Sequence, residues 1–174
     1  GSEMCIRDSI QKVRYKNTFS VIFDVQPELY EYCIVKLVLQ PILENAINYG
    51  VGSMDDCGEI KVTGRMQGEN IILSVTDNGL GMTEEEVDLI LTDSKRIRKH
   101  GSGVGLVNVN NRIQILFGKE YGLVVESEPD EGTTVSICIP AVLYTEDNRE
   151  DLEKGRMFRK EETAKEVQVK RDDE

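Results

Sequence analysis

The chain has 174 residues, of which 39% are hydrophobic and 30% are charged, as expected for one globular domain with its own core. Its formal net charge of −11 argues against nonspecific binding to nucleic acid or to an anionic membrane. No apolar run approaches the roughly 20 residues that a membrane helix needs, and the four dispersed cysteines indicate reduced thiols in a cytosolic protein.

The first half of the chain predicts strands on either side of one long helix. Residues 1–9 carry no usable pattern and are interpreted as residues added for expression. Pro41 lies inside the helical pattern, so we expect a kink or a restart of the helix there. The predicted elements are a strand near 18–25, a helix over about 29–49, and two strands at about 59–66 and 70–77, joined by a turn near Gln67-Gly68-Glu69.

The second half predicts two helices and then two strands. Thr83 is the predicted N-cap of the first helix, with Glu86 at the capping-box position. The second helix keeps one face apolar through Leu106, Val109, Ile113 and Leu116. Pro140 is expected to end the fold. The predicted elements are helices over about 83–91 and 104–117, and strands at about 121–128 and 132–139.

These elements predict a two-layer α/β sandwich. The sheet is expected to be mixed but mainly antiparallel, because the last two strands are adjacent in sequence, and the helices are expected on one face. We place the folded domain at residues 17–143, after an N-terminal segment 1–16. Residues 144–174 are mostly charged, and they are interpreted as a disordered or loosely helical tail or as the start of a linker.

The segment QPILENAINYG (40–50) carries polar residues opposite an apolar helix face. At about 100° per residue, the apolar face consists of Ile42, Leu43, Ala46 and Ile47, and the polar face of Glu44, Asn45 and Asn48. A solvated face is one interpretation, although Asn is a poorer helix former than Lys, Glu or Arg. Amide oxygens beside a carboxylate also suit a hard cation, with the carboxylate near enough to orient water or a nucleophile.

The segment ILSVTDNGLGM (72–82) places an acid at the end of a strand. Leu73, Val75 and Asp77 point to the same side, which the two apolar residues identify as the buried side. A carboxylate there needs a donor. One interpretation is a turn in which Asp77 bonds its own backbone, since Asp-Asn-Gly is a common turn sequence. The other is that Asp77 accepts a hydrogen bond from a ligand amine such as that of adenine.

The segment GSGVGLVNVNNR (101–112) leads from alternating glycines into a helix. It is not a Walker A loop, because no Gly-Lys-Ser/Thr follows, and Leu106 stands where a dinucleotide fingerprint needs glycine. Free backbone N–H groups and the helix dipole favour an anion at such a start. The preceding basic cluster is either a solvated loop or a mobile lid that meets polyphosphate. It consists of Lys95, Arg96, Arg98, Lys99 and His100.

In this order the three segments resemble the N, G1 and G2 boxes of the Bergerat ATP-binding fold. That fold is shared by DNA gyrase B, Hsp-type chaperone ATPases, sensor histidine kinases and MutL-like repair proteins. QPILENAINYG, GSGVGLVNVNNRIQILFGKEYGL and EGTTVSICIP together are similar to the catalytic domain of LytS/YesM-like sensor histidine kinases, over about residues 10–141. The resemblance implies ATP and Mg²⁺ as cofactors. Tyr49 stands where this family commonly has His, a departure from which we expect little effect.

The resemblance implies a role for each matching residue around the metal and around the adenine base. Asn45 would ligate Mg²⁺ with Asn48 in support, and Glu44 would orient the metal shell or act as the catalytic base. Asp77 would bind the adenine amine, helped through water by Thr133 or Thr134.

Glycines and the lid complete the implied nucleotide site. Gly79 and Gly81 would leave room for the adenine ring. Lid closure over the phosphates would rely on Gly101, Gly103 and Gly105. The other residues implied along the nucleotide are Met82, Lys99, Val104 and Leu106.

The implied activity is transfer of the ATP γ-phosphoryl group to a histidine on a dimerisation domain, and then to a response regulator. The single histidine, His100, lies in the lid, so the acceptor histidine is expected outside this chain. The dimerisation helix that carries it is expected to be missing from this sequence, apart from a stub near 10–15. We expect the cytoplasmic part of a membrane-anchored bacterial kinase, monomeric when isolated, with no nucleic-acid or membrane contact of its own. The alternatives are a GHKL-type ATPase that hydrolyses ATP with Glu44 as base, and a non-catalytic nucleotide-binding module.

Overall fold

A computed structural model describes residues 3–11, 13, 19–35, 38–51, 58–92 and 103–145 of the chain. The strands are β1 (Glu3–Cys5), β2 (Ser20–Val25), β3 (Cys33–Val35), β4 (Glu59–Gln67), β5 (Asn70–Asp77), β6 (Gly122–Glu128) and β7 (Gly132–Pro140). The helices are α1 (Ile6–Gln11), α2 (Leu39–Asn45), α3 (Glu84–Thr92) and α4 (Gly103–Phe117), with a 3-10 turn at Pro27–Glu31 and a π-helical turn at Ala46–Val51. The basic cluster 95–100 and the tail 146–174 lie outside the described residues.

Five strands form one sheet in the order β2-β4-β5-β7-β6. Only β2 and β4 run parallel, and every other neighbouring pair is antiparallel. Burial alternates along β4, β5 and β7, as expected for strands with one face in the core. The opposite face carries cross-strand hydroxyl pairs, with Ser74 Oγ 2.8 Å from Ser136 Oγ and Thr76 Oγ1 3.0 Å from Thr134 Oγ1. The predicted mixed, mainly antiparallel sheet is confirmed.

The helices supply the second layer of the sandwich. α4 packs against α2, α3 and β6, and its predicted apolar face is buried at Leu106, Val109 and Ile113. Thr83 and Glu86 form the predicted capping box, in which the Thr83 N–H donates to Glu86 Oε2 at 2.8 Å and the Glu86 N–H to Thr83 Oγ1 at 3.3 Å. The predicted two-layer α/β sandwich is therefore confirmed. None of the described helices is long and apolar enough to cross a membrane.

The single helix predicted over 29–49 is wrong. Its first part is the 3-10 turn, which ends at the extended residue Tyr32, followed by β3. Cys33 is fully buried and its N–H donates to the Val142 carbonyl at 2.7 Å, a partner far away in sequence. α2 begins at Leu39, two residues before Pro41, where the sequence predicted a kink or a restart. Pro41 lies in the first helical turn, where backbone N–H groups have no intrahelical partner, so the ring is accommodated there.

Both ends of the domain extend beyond the predicted strands. Pro140 ends β7 but not the fold, because the Tyr144 N–H donates to the Glu31 carbonyl at 2.9 Å, and Tyr32 pairs with Leu143. At the other end β1 pairs antiparallel with β3, and Ile6 is buried in the core. No pattern in residues 3–11 indicated this packing. It depends on β3, which the sequence analysis placed inside a helix.

Candidate functional site

The predicted N and G1 segments meet beside the hairpin that joins β6 and β7. The π-helical turn after α2 packs against β4, β5 and β7, and its Gly50 lies next to Asp77 at the end of β5. The turn that follows β5 lies against the hairpin, where the Asp130 N–H donates to the Leu80 carbonyl at 2.6 Å. Residues from three distant parts of the sequence thus surround the end of β5, where Asp77 is the last strand residue.

Asp77 is a buried carboxylate with 4% of its surface exposed. Its Oδ1 accepts the Gly79 N–H at 2.9 Å, which is the local turn that one sequence interpretation predicted. Burial raises the pKa of the Asp77 carboxyl, and hydrogen bonds from the backbone N–H groups of Gly79 and Thr133 offset part of that rise. These donors stabilise a buried carboxylate anion. Asp77 can therefore form the local turn and also accept a hydrogen bond from a ligand, so the two sequence interpretations do not exclude each other.

Gly50 and Gly79 allow the π-helical turn to approach Asp77 without intervening side chains. A Cβ added at Gly50 would lie 2.4 Å from both Cγ and Oδ1 of Asp77. A Cβ added at Gly79 would lie 2.1 Å from the Gly50 carbonyl carbon. The predicted reason for Gly79 was room for an adenine ring, whereas the structure fills that space with the backbone of Gly50. Sequence analysis missed Gly50, although a glycine directly after the polar helix face was a usable signal.

Gly81 has its own structural requirement. Its φ of +68° is a conformation that favours glycine, and an added Cβ would lie 1.9 Å from the Glu128 carbonyl oxygen. The next residue, Met82, is buried and donates its N–H to Ser127 Oγ at 2.8 Å. The loop after Asp77 is thus fixed against β6 by close packing and hydrogen bonding together.

Of the two threonines predicted to help Asp77, the structure places only Thr133 beside it. Thr133 is the cross-strand partner of Asp77, and its side chain is buried on the same face of the sheet. Thr134 lies on the other face, paired with Thr76. Thr133 Oγ1 lies 2.8 Å from Ser127 Oγ. Sequence analysis missed Ser127, because its contacts are made with residues on other elements and no local pattern marks them.

The three polar residues predicted to share one face of the helix over about 29–49 differ in burial. Glu44 and Asn48 are exposed, and Gln40 Nε2 donates to Glu44 Oε1 at a long 3.4 Å. Asn45 instead is only 1% exposed. At about 100° per residue Asn45 lies roughly 60° from Ile42, so it belongs to the edge of the buried face rather than to the solvated one. The prediction that it shares one polar face with Glu44 and Asn48 is wrong.

The Asn45 side chain fits a metal-binding role better than a packing role. Its Oδ1 is buried and has no hydrogen-bond partner among the described residues. A buried acceptor without a donor is costly unless something else binds it. No group of three or more His, Cys, Asp or Glu side chains within the described ranges could hold a metal. Mg²⁺ commonly takes only one or two protein oxygens, together with water and substrate phosphates, and an amide oxygen suits that arrangement.

The predicted G2 segment lies only partly within the described residues. Lys99 and Gly101 lie outside them, as does the side chain of Val104. α4 begins at Gly103, and a Cβ added at Gly105 would make ordinary contact with Pro41 Cβ at 3.5 Å, which places the start of α4 beside α2. Leu106 is fully buried in the core, so its side chain does not reach a ligand.

Comparison with known proteins agrees with this geometry. Residues 34–143 match the family described as histidine kinase-, DNA gyrase B-, and HSP90-like ATPase. YwpD of Bacillus subtilis (strain 168) is 38% identical over 133 residues, which cover 75% of this chain and 45% of YwpD. The sensor histidine kinase YesM of the same organism is 32% identical over 133 residues, which cover 76% of this chain and 21% of YesM. The chain spans less than half the length of these two relatives.

A solved structure supports the same fold. The catalytic domain of histidine kinase ThkA superposes with a TM-score of 0.62 at 19% sequence identity, covering 80% of this chain and 95% of that one. The resemblance drawn from the motifs, to the catalytic domain of LytS/YesM-like kinases, is confirmed by these matches.

Proposed function

Because this chain belongs to the histidine kinase-, DNA gyrase B-, and HSP90-like ATPase family, we propose that it is the ATP-binding catalytic domain of a sensor histidine kinase. In this proposal the domain transfers the γ-phosphoryl group of ATP to a histidine on a dimerisation domain. A response regulator then receives the phosphoryl group. The kinase is proposed to be a membrane-anchored bacterial protein with this domain on the cytoplasmic side.

The observation that carries the proposal is the buried carboxylate of Asp77 at the end of β5. Its Oδ1 is held by the Gly79 N–H, and burial raises its pKa, so a further hydrogen-bond donor would stabilise the ionised form. The exocyclic amine of adenine is such a donor. Thr133 lies beside Asp77 on the same sheet face and adds a hydroxyl to this base-binding position.

The phosphate end of the nucleotide is proposed to lie between Asn45 and the start of α4. The buried Asn45 Oδ1, which has no hydrogen-bond partner in the part of the chain that the structure describes, would ligate Mg²⁺, which when bound neutralises charge on the β- and γ-phosphates. Asn48 is exposed on the following turn and would support that site. The free N–H groups at the start of α4 favour an anion through the helix dipole, and Gly105 brings this start close to α2.

Glu44 is proposed as the catalytic base that accepts a proton during transfer. Its carboxylate is exposed next to Asn45 and therefore accessible to a group brought from another domain. In the transfer, an imidazole nitrogen of the acceptor bonds to the γ-phosphorus while the bond to the bridging oxygen of ADP breaks. Glu44 takes up the proton that the ring loses, and ADP leaves. Positioning and charge neutralisation supply most of the rate in such reactions.

The first experiment is calorimetric titration of the chain with ATP, with and without Mg²⁺. We expect Mg²⁺-dependent binding that Asp77→Asn abolishes. Asp24→Asn is the matched control, because Asp24 is exposed on β2 and takes part only in a long ion pair with Lys61 Nζ, at 3.8 Å, among the described residues. Undiminished affinity in Asp77→Asn, or no binding of ATP by the unaltered chain, would contradict the proposal.

The second experiment separates transfer from hydrolysis. Radiolabelled ATP is supplied with a purified dimerisation domain of a LytS/YesM-like kinase, and label on that domain and free phosphate are both measured. Transfer that Glu44→Ala reduces, with little free phosphate, is the expected result. Steady release of phosphate without labelling of the domain would favour a hydrolytic ATPase. ATP binding with neither product would favour a non-catalytic module.

A further inference from the structure

The hydroxyl of Ser127 is a junction between the loop after Asp77 and the start of β7. It lies within hydrogen-bond distance of three groups: the Met82 N–H at 2.8 Å, the Gly132 carbonyl oxygen at 2.9 Å, and Thr133 Oγ1 at 2.8 Å. Met82 belongs to the loop that Asp77 begins, and Thr133 is the cross-strand partner of Asp77. Ser127 therefore contacts both elements that surround the proposed base-binding position, without itself lying next to Asp77 in the sheet.

Counting protons assigns a direction to each of these bonds. A serine hydroxyl has one proton to donate and two lone pairs to accept with. The Met82 N–H can only donate, so it occupies one lone pair of Ser127. The Gly132 carbonyl can only accept, so it takes the single Ser127 proton. The Thr133 hydroxyl must then donate to the remaining lone pair of Ser127 if all three bonds are to form.

This direction determines what Thr133 can offer a ligand. With its own proton directed at Ser127, Thr133 Oγ1 presents lone pairs only, and the neighbouring Asp77 carboxylate also only accepts. Two adjacent acceptors match an amino group, which has two protons to donate. They repel a carbonyl oxygen in the same place, because neither group has a proton left for it.

We infer that Ser127 is a positioning residue that makes the site select a purine with a 6-amino group over one with a 6-carbonyl group. It acts through Thr133, by holding the hydroxyl of that residue as an acceptor. This inference rests on the proposed function, since it deepens the assignment of ATP to the same site. Removing the Ser127 hydroxyl frees the Thr133 proton to rotate and donate to a carbonyl oxygen.

The test compares ATP with ITP, which carries a carbonyl at the position of the adenine amine. Affinities for both nucleotides are measured by calorimetry with the unaltered chain and with Ser127→Ala. We expect the ATP-over-ITP preference to fall about threefold to tenfold in Ser127→Ala, because this is the change in relative affinity that the loss of one hydrogen bond produces. Ser127→Thr keeps the hydroxyl and should keep most of the preference. Ser136→Ala is the matched control, because it removes a hydroxyl with one 2.8 Å bond on the opposite sheet face, and its preference should equal that of the unaltered chain.

A double-mutant cycle with Thr133→Val tests whether Ser127 acts through Thr133. Thr133→Val alone should lower the preference, and adding Ser127→Ala should change it no further. Equal losses of ATP and ITP affinity in Ser127→Ala, or additive effects in the cycle, would overturn the inference but leave the proposed function standing, because the unaltered chain would still bind ATP. If Ser127→Ala does not fold, full preference retained in Thr133→Val overturns it as well. No ATP binding by the unaltered chain would overturn the proposed function and this inference together.

Discussion

Substituting Gly81 with alanine tests whether the loop after Asp77 depends on close packing against the β6–β7 hairpin. Gly81 and Gly68 both have positive φ, at +68° and +61°. An added Cβ at Gly81 would lie 1.9 Å from the Glu128 carbonyl oxygen, whereas no atom of the described residues lies within 4 Å of a Cβ at Gly68. Gly68→Ala is therefore a matched control, because it carries the same backbone strain without the collision.

The difference between the two variants can be worked from the structure. Left-handed backbone costs an alanine about 1 kcal/mol, and the loss of chain entropy in the unfolded state is similar at both positions, so both contributions cancel. At Gly81 the contact is roughly 1.5 Å too short for van der Waals contact, and the colliding atom belongs to backbone that cannot rotate away. Overpacking and weakening of the adjacent Met82 and Leu80 hydrogen bonds together cost about 2–4 kcal/mol.

The assay is urea unfolding followed by circular dichroism, with thermal unfolding alongside. We expect Gly81→Ala to be less stable than Gly68→Ala by about 2–4 kcal/mol, or roughly 6–12 °C in Tm for a chain of this size. Calorimetry in native buffer should show reduced ATP affinity for Gly81→Ala and unchanged affinity for Gly68→Ala. Equal stabilities of the two variants, within about 0.5 kcal/mol, would refute the packing argument. Unchanged ATP affinity in a folded Gly81→Ala would show that this loop does not contribute to the ATP site.

Three further changes address separate parts of the site. Asn45→Ala should reduce Mg²⁺-dependent ATP affinity at least about tenfold in calorimetry, yet change the free energy of unfolding of the free chain by less than about 1 kcal/mol, because Asn45 Oδ1 has no partner to lose among the described residues. A large loss of stability would contradict this. Burial raises the pKa of Asp77 above its ordinary 3.8. The free energy of unfolding of the unaltered chain, relative to that of Asp77→Asn, should therefore fall as pH rises from 3.8 through that raised pKa and then level off. Thermal unfolding across this pH range checks the sign, and an increase in this relative free energy with pH would refute the prediction. Thr83→Ala should destabilise the chain by about 1 kcal/mol in urea unfolding by removing the α3 capping box, and no change would show that the box contributes nothing.

Elements defined by short-range pattern were predicted closely from the sequence. β4 and β5 alternate strictly between core and outer face, and the turn between them is marked by Gly68. The α3 boundary was also predicted, since its cap and the residue that completes it are three positions apart. In each case the interactions that decide the structure lie within the segment or between strands adjacent in sequence, so a local pattern is sufficient.

β3 could not be predicted in this way. Leu29 and Cys33 have the four-residue spacing of a helix face, and both are fully buried. The strand forms because Cys33 pairs with Val142 on one side and with β1 on the other, and neither partner is local. Tertiary hydrogen bonding thus overrides a helical pattern, and the weak preference of the local sequence does not decide the outcome.

Within the candidate site, residue types were predictable but their arrangement was not. Asp77 was placed correctly on the buried side of β5 because strand alternation fixes it. The choice between Thr133 and Thr134 needed the register of β5 against β7, which pairs Asp77 with Thr133. Ser127 was not predicted, since Met82 lies 45 positions before it and no local rule relates the two.

The π-helical turn after α2 explains why one short segment can contribute to both ends of the proposed nucleotide site. In a regular α-helix, Asn45 and Gly50 would lie about 140° apart, so they could not both face the same neighbour. Hydrogen bonds between residues five apart, as in a π-helical turn, bring such residues close to alignment. One short segment can therefore hold both Asn45 Oδ1, which is buried without a hydrogen-bond partner among the described residues, and Gly50, which lies directly against the Asp77 carboxylate. No side chain separates Gly50 from Asp77, and a pattern with a period of 3.6 residues cannot reveal that contact.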